Sequence, residues 1–334
     1  MIFVVTIDTE ADRQWDHGAP LTTHNVRCWE PFQAVCDKHG ITPTYLITSE
    51  IAADPLAQKL LRAWTAQGTA EVGAHLHPWT TPPFLDRPGM TCNDVQHAFL
   101  SELPEELVSQ KLDSLTREIE ESTGVRPISF RAGRFGFDTR VARELGRLGY
   151  RVDSSVTPLT EWSGHAGLHG GAGGPDFRSH GTDPFMLQGT GSPGVLEIPI
   201  TVVATYAVLR RSPRLLSLYQ TLPVRAARKI LFRHWLCPQP VWLRPTPEFG
   251  QSDLQNVWRA AEDQRSPVAV MMFHSSELMP GGSPYRATPA SVKELLALLD
   301  EFFGFALTYG AVPATLSAAA AQLTASGSLE ERRL

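Results

Sequence analysis

Apolar and polar positions alternate along this chain in blocks whose period switches repeatedly between that of a strand and that of a helix. The first run, IFVVTI, is rich in β-branched residues and stops at Asp8, which reads as a strand buried on both faces. A polar loop follows, then a helical stretch near Val26 to His39 closed by Gly40. TPTYLIT (Thr42 to Thr48) reads as a second strand. Pro55 to Gln67 carries Leu56, Leu60, Leu61 and Trp64 at helical spacing and ends at Gly68. AEVGAHL (Ala70 to Leu76) reads as a third strand, and Pro104 to Thr123 as an amphipathic helix ended by Gly124. Beyond it, PISFRAG and YRVDSS read as strands around a helix over Thr139 to Leu148. VLEIPIT (Val195 to Thr201) is a further strand, and Ser252 to Asp263 a helix. PVAVMMFH (Pro267 to His274) is an apolar strand ending on a histidine. Pro289 to Phe303 predicts a helix, FALT (Phe305 to Thr308) a short strand, and Val312 to Leu323 an Ala-rich helix.

Strand and helix thus alternate about seven or eight times, which predicts an α/β fold with a parallel sheet and helical crossovers. A (β/α) barrel fits the length of 334 residues, with a doubly wound sheet as the rival. No GxGxxG follows an early strand, and the Gly-rich stretch from Gly164 to Pro175 lacks the Lys-Ser/Thr of a phosphate loop. The expected organisation is one domain over 1–325, with a helical basic insertion near 205–250 and a disordered tail over 326–334.

Composition narrows the classes. With 42% hydrophobic and 19% charged residues the chain has material for a large core, and its net charge of -5 argues against nucleic acid as a partner. The exception is the basic run from Arg210 to His234, whose interspersed leucines would suit either a helix packed on the barrel or peripheral contact with an acidic membrane surface. The four cysteines form no CxxC pair, so a reducing compartment is expected. MIFVVTIDTE shows no signal-peptide pattern and no apolar segment approaches the length of a membrane span, so the expected location is cytoplasmic.

Chemistry gathers where the strands stop. The first ends in Asp8-Thr9-Glu10, the third in His75-Leu76-His77, and later ones in Arg131, Asp153 and His274. In a parallel barrel these ends share one rim, where active sites lie. His75 and His77 with one carboxylate, from Asp8 or Glu10, make a donor set for a divalent cation with an open position. The remaining carboxylate would serve as base on a cation-bound water, with Arg131 pairing with that base. His274 would be the acid that protonates a leaving group. On a strand His75 and His77 point the same way, so both reach one cation.

Five short motifs, in order, resemble those of the polysaccharide deacetylases of the NodB-homology group, which remove N-acetyl groups from chitin-like and peptidoglycan sugars. TIDTE resembles the first motif, GAHLHPW the second, FRAGRFG the third, YRVDSS the fourth and MMFHSSEL the fifth. The resemblance implies a distorted (β/α)7 barrel. It implies Asp8 as base, Arg131 as its orienting partner, His274 as general acid and Asp153 as the acid that tunes His274. The chain departs from the pattern twice. The usual metal carboxylate directly follows the base, where this chain has Thr9, so Glu10 takes its place. The usual second histidine lies four residues after the first, where this chain has Trp79, so His77 takes that role, with His24 or His17 as other candidates.

The resulting expectation is a metal-dependent hydrolase, with zinc as the first choice of cation. It would take an N-acyl, first an N-acetyl, group from a sugar of a glycan, glycolipid or precursor. Trp79, Phe135 and Glu277 are the expected substrate contacts, with Trp15 beside them. Three rivals stand: a C–N hydrolase for another small amide, such as a formamide or a ureide; an inactive barrel that binds glycans; and a glycosidase pairing Asp8 with Glu197.

Overall fold

The computed structural model describes residues 1–16, 20–84, 98–164, 173–192, 194–204, 240–327 and 329–334. The basic run Arg210 to His234 and its proposed membrane contact, His17, Cys92, Cys237 and most of the Gly-rich stretch lie outside the described residues. Cys28 and Cys36 are free thiols.

The strands are β1 Ile2–Thr9, β2 Thr44–Ile47, β3 Glu71–Leu76, β4 Ser129–Ala132, β5 Val152–Asp153, β6 Phe185–Leu187, β7 Leu196–Glu197, β8 Val202–Ala204, β9 Pro240–Trp242, β10 Val268–His274, β11 Val312–Pro313 and β12 Glu331–Arg332. The helices are α1 Glu30–Lys38, α2 Ser49–Ala52, α3 Pro55–Gln67, α4 Glu105–Thr123, α5 Thr139–Leu148, α6 Gln251–Asp263, α7 Pro289–Thr308 and α8 Leu316–Ala325. The main sheet runs β10-β1-β2-β3-β4-β5-β7-β6-β12. From β10 to β7 every neighbouring pair is parallel, and β6 turns antiparallel on β7. This is the predicted distorted (β/α) barrel, curled but open. Across the opening, β10 meets the residues flanking the separate β8–β9 pair through isolated backbone bonds: Thr201 N–H donates to Val270 O (3.2 Å), and Met272 N–H to Leu243 O (3.3 Å).

β1 is the axis of the fold. Its outward-facing Phe3 meets the rings of Trp258, Phe302 and Phe303 at 5.5, 6.0 and 5.9 Å, tying α6 and α7 to the sheet. Its other face carries Val4 into a smaller cluster with Val152, Ile198, Val270 and Leu316. The register aligns Asp8 with His274, and His75 with Arg131. Paired residues of parallel strands share a face, so these four polar ends are delivered together. Asp54 caps α3 and Asp138 caps α5, each accepting two backbone N–H groups, and Gly68 and Gly149 close the same helices in left-handed turns.

Several predicted elements shift. The segment Phe305 to Thr308 is not a strand: α7 runs through it, because Phe302, Phe303 and Ala306 continue one buried face at helical spacing. The strand of that region is β11, paired with β1, and α8 starts only at Leu316, where Thr315 caps it. The helix expected over Val26 to His39 divides into a 3-10 turn at His24–Cys28 and α1, whose start is set by Pro31. Of VLEIPIT only Leu196–Glu197 is strand, as β7, and β8 begins at Val202 just beyond it. The tail over 326–334, expected as disordered, contains β12, which pairs with β6 through bonds such as Met186 N–H to Glu330 O (2.9 Å). Among the described residues no helix is long and apolar enough to cross a membrane.

Candidate metal centre

Asp8 and Glu10 stand two residues apart at the end of β1 and so face the same way, whereas Thr9 between them turns to the other face and donates its hydroxyl to Ile7 O (2.9 Å). That alternation is why Glu10, not residue 9, reaches the histidines. His75 and His77 obey the same rule at the end of β3, with ring centroids 4.6 Å apart. Glu10 Oε2 lies 3.2 Å from His77 Nε2 and 3.8 Å from His75 Nε2. Glu10, His75 and His77 are all buried and bring one donor atom each within 4.8 Å of one another, a cluster suited to a divalent metal ion. His24 does not join them. It is exposed on the outside of the loop, where its Nδ1 lies 3.4 Å from Asp12.

The donor chemistry fits a cation. His75 Nδ1 lies 2.9 Å from Arg131 O, and a carbonyl only accepts, so Nδ1 carries the proton and the Nε2 lone pair faces Glu10. Burial favours a neutral His75, but Asp8 and Glu10 outweigh it and raise its pKa. His77 is pushed well below its ordinary value by burial, then by His75, Arg134 and His274, which leaves a neutral ring able to coordinate. Glu10 is held through its backbone: its N–H donates to Ser275 Oγ (3.2 Å), and its carbonyl accepts from Asn25 Nδ2 (3.0 Å). Asp12 fastens the same loop by accepting from the backbone N–H groups of His24 and Asn25 at 2.8 and 2.9 Å.

Arg131 is fully buried and donates to Asp8 Oδ1 (2.6 Å), Ser154 O (2.7 Å) and Ser154 Oγ (3.0 Å). Burial works against the Asp8 charge, yet Arg131, His75 and His274 outweigh it and hold Asp8 below its ordinary range. His274 Nε2 lies 4.0 Å from Glu10 Oε1, so the acid candidate faces the same carboxylate from the β10 side.

The carboxylate in contact with His274 is Glu277, not the expected Asp153. Asp153 accepts from Ser155 N and Oγ at 3.0 and 2.7 Å and faces Glu197 across the β5–β7 register. His274 Nδ1 instead lies 3.3 Å from Glu277 Oε1 and 3.1 Å from Arg244 Nη2. Arg244 also donates to Glu277 (2.8 Å) and covers the ring of Tyr285 at 4.7 Å. Burial raises the Glu277 carboxyl, but Arg244 and His274 overcome it and bring it down to about 2. Glu277 is fully buried in this ion pair, which removes it from the expected substrate contacts. Trp79 leaves that group too: only 5% exposed, it stacks on His77 at 4.3 Å and backs that ring. Glu197 is also buried against Asp153 and Val156 N, so it does not face Asp8 across a cleft as the glycosidase reading requires.

Two expected contacts keep an open side. Trp15 meets His274 edge-on at 5.1 Å, and Phe135 stacks with Trp162 at 5.2 Å beside Trp242 at 5.6 Å. Arg134 and Phe135 both have left-handed backbone, φ 49° and 57°, a strained conformation for residues with side chains. Gly133 just before them has no room for a Cβ, which would collide with the His77 ring and lie 2.6 Å from Leu76 O. Gly133→Ala is therefore expected to cost about 1–3 kcal/mol in urea unfolding. It should also weaken metal binding in a titration, since the ring that must yield is His77.

Sequence reasoning missed Arg244, although the rule applied at five other strands, a polar residue closing an apolar run, also marks the end of PVWLR. It missed the roles of Asn25, Asp12 and Ser275 because hydroxyls and amides that hold backbone leave no periodic signal.

No family model and no curated protein sequence matches the chain. Among solved structures it is similar to a protein assigned as a polysaccharide deacetylase from Mycobacterium smegmatis, at 17% identity and TM-score 0.54, covering 99% of this chain and 93% of that one. A second similar structure is the Xyl-CE4 domain of a multidomain xylanase from the hindgut metagenome of Trinervitermes trinervoides, at 7% identity and TM-score 0.45, covering 97% and 91%. At such identities the likeness speaks of architecture, and in architecture this chain has the polysaccharide deacetylase fold of the mycobacterial protein.

Proposed function

We propose that this chain is a zinc-dependent hydrolase that removes an N-acyl group, in the first instance N-acetyl, from a sugar of a glycan, glycolipid or precursor. One observation carries the reading: Asp8 and His274, aligned on adjacent strands, flank a carboxylate that also meets two imidazoles. Glu10, His75 and His77 would hold the cation, which when bound polarises the acyl carbonyl and acidifies water. Asp8, kept ionised by Arg131, takes the proton of the attacking water. His274 gives a proton from Nε2 to the departing amine nitrogen, while its Nδ1–H donates to Glu277, which Arg244 holds in place. The open faces of Trp15 and Phe135 suit sugar rings, whose apolar faces pack on aromatic side chains.

The test is a release assay on purified protein with a panel of N-acetyl and N-formyl sugars, before and after chelation. Acetate released from N-acetyl sugars, lost on chelation and restored by zinc, is the expected result. Formate alone would transfer the reading to a deformylase, and no release from any member of the panel would leave a glycan-binding barrel. The similarity to the mycobacterial protein assigned as a polysaccharide deacetylase favours acetate.

A further inference from the structure

The proposed chemistry makes no use of Lys111, a charged residue that is only 2% exposed. It projects from α4, and its Nζ donates to three backbone carbonyls: Pro78 O (2.7 Å), Thr81 O (2.5 Å) and Pro83 O (2.9 Å). An ammonium has three N–H bonds, so all are used. Nζ also stands 5.3 Å from the centre of the Phe84 ring, and among the described residues no carboxylate lies within ion-pair distance. Burial lowers the pKa to about 8, which leaves the group protonated at neutral pH. The charge is therefore solvated by the backbone of a single turn.

That turn begins at His77. Its carbonyl accepts from Thr80 N (3.2 Å) and Thr81 N (3.1 Å), and Trp79 within it stacks on the His77 ring. The two histidines of the centre are oriented by different means. His75 sits in β3 and is fixed by its own hydrogen bond from Nδ1 to Arg131 O. His77 lies one residue beyond β3, and its buried Nδ1 has no hydrogen-bond partner among the described residues. Metal-binding histidines are ordinarily steered through the ring nitrogen that does not bind the ion. His77 lacks that device, so its direction depends on the turn that carries it. Three carbonyl dipoles aimed at one point repel one another unless a cation stands between them.

We propose that Lys111 is a positioning residue for the metal centre: its ammonium gathers the Pro78–Pro83 turn and thereby aims His77 at Glu10. This rests on the reading of His77 as a ligand. Lys111 touches neither the cation nor the substrate and acts only through the turn.

The experiment measures the zinc dissociation constant by competition with a chromogenic chelator, together with the melting temperature of the metal-free protein. Lys111→Met, which keeps the stem and removes the charge, is expected to weaken zinc binding about 10- to 100-fold. Lys111→Gln, which keeps two N–H donors, serves if the methionine variant does not fold, and should fall between Met and the parent. In Lys111→Ala, methylammonium chloride should recover part of the affinity where sodium chloride at equal ionic strength does not. Leu112→Ala is the control, because it loosens the same helix through the core and leaves the turn alone. Parent-like zinc affinity in both Lys111→Met and Lys111→Gln overturns the inference, as does an equal loss in Leu112→Ala. A parent that binds no zinc refutes instead the metal-centre reading on which it stands, and the two failures are told apart by the parent alone.

Discussion

His274→Gln is expected to lower turnover about 10²- to 10⁴-fold, the range for loss of a positioned acid, while folding and zinc affinity stay close to those of the parent. The separation follows from how His274 is held. Its side chain is 16% exposed and not part of the packed core. When it is replaced, Arg244 and Glu277 remain joined at 2.8 Å, and Glu277 still accepts the backbone N–H of residue 274 at 3.1 Å. No buried charge is stranded, so a stability change within about 1 kcal/mol is expected in denaturant unfolding. The three metal donors are likewise untouched. What disappears is the proton aimed from Nε2 into the cleft. The loss should shrink for substrates whose leaving amine is weakly basic, such as anilides, because these depart without full protonation. Turnover within a few-fold of the parent would remove His274 from the chemistry. A parallel loss of zinc affinity would make it a fourth ligand, which its 4.0 Å approach to Glu10 puts within reach.

The centre is legible in the sequence because its residues obey the two-residue period of a strand. Asp8 with Glu10 and His75 with His77 are each two apart, so spacing alone assigns each pair to a common face. Parallel pairing then places all of them at one end, and the register shows it in Asp8 opposite His274. The partners of these residues are not legible in the same way. Arg244 reaches His274 across 30 positions, and Lys111 reaches the turn after His77 from α4, so neither contact leaves a local pattern. Asp153 mimics a partner of His274 because it too closes a strand. Its environment differs: it is buried beside Glu197, and burial raises both carboxyls, that of Glu197 further because the neighbouring Asp153 charge adds to it. The strand reading of Phe305 to Thr308 fails for a simpler reason. A four-residue apolar run has no period of its own, and the helix behind it decides.

Arg131→Met should be the most destabilising change at the centre, at about 3–5 kcal/mol, because it leaves the Asp8 carboxylate buried without its cation. The methionine has nearly the length of the arginine stem but none of the three donors that meet Asp8 and Ser154. The effect should depend on pH with a definite sign. In the parent Asp8 lies below its ordinary value of 3.8, so its pairing stabilises the fold above the carboxylate range and is lost as pH falls through it. In the variant burial acts with its largest opponent gone, and the carboxyl moves upward. The stability gap between parent and variant should therefore be widest near neutrality and close in acid, where Asp8 is protonated in both. Urea unfolding at a series of pH values measures this directly. The same shift predicts the kinetics: the base must be ionised to take a proton, so the acid limb of the turnover profile should move to higher pH in whatever folded variant survives. Arg131→Lys, which keeps the charge but has no planar fork to meet Asp8 and Ser154 together, should recover part of the stability and less of the rate. A gap that stays constant with pH would mean that Arg131 contributes by packing alone, and Asp8 would then need another source for its ionised state.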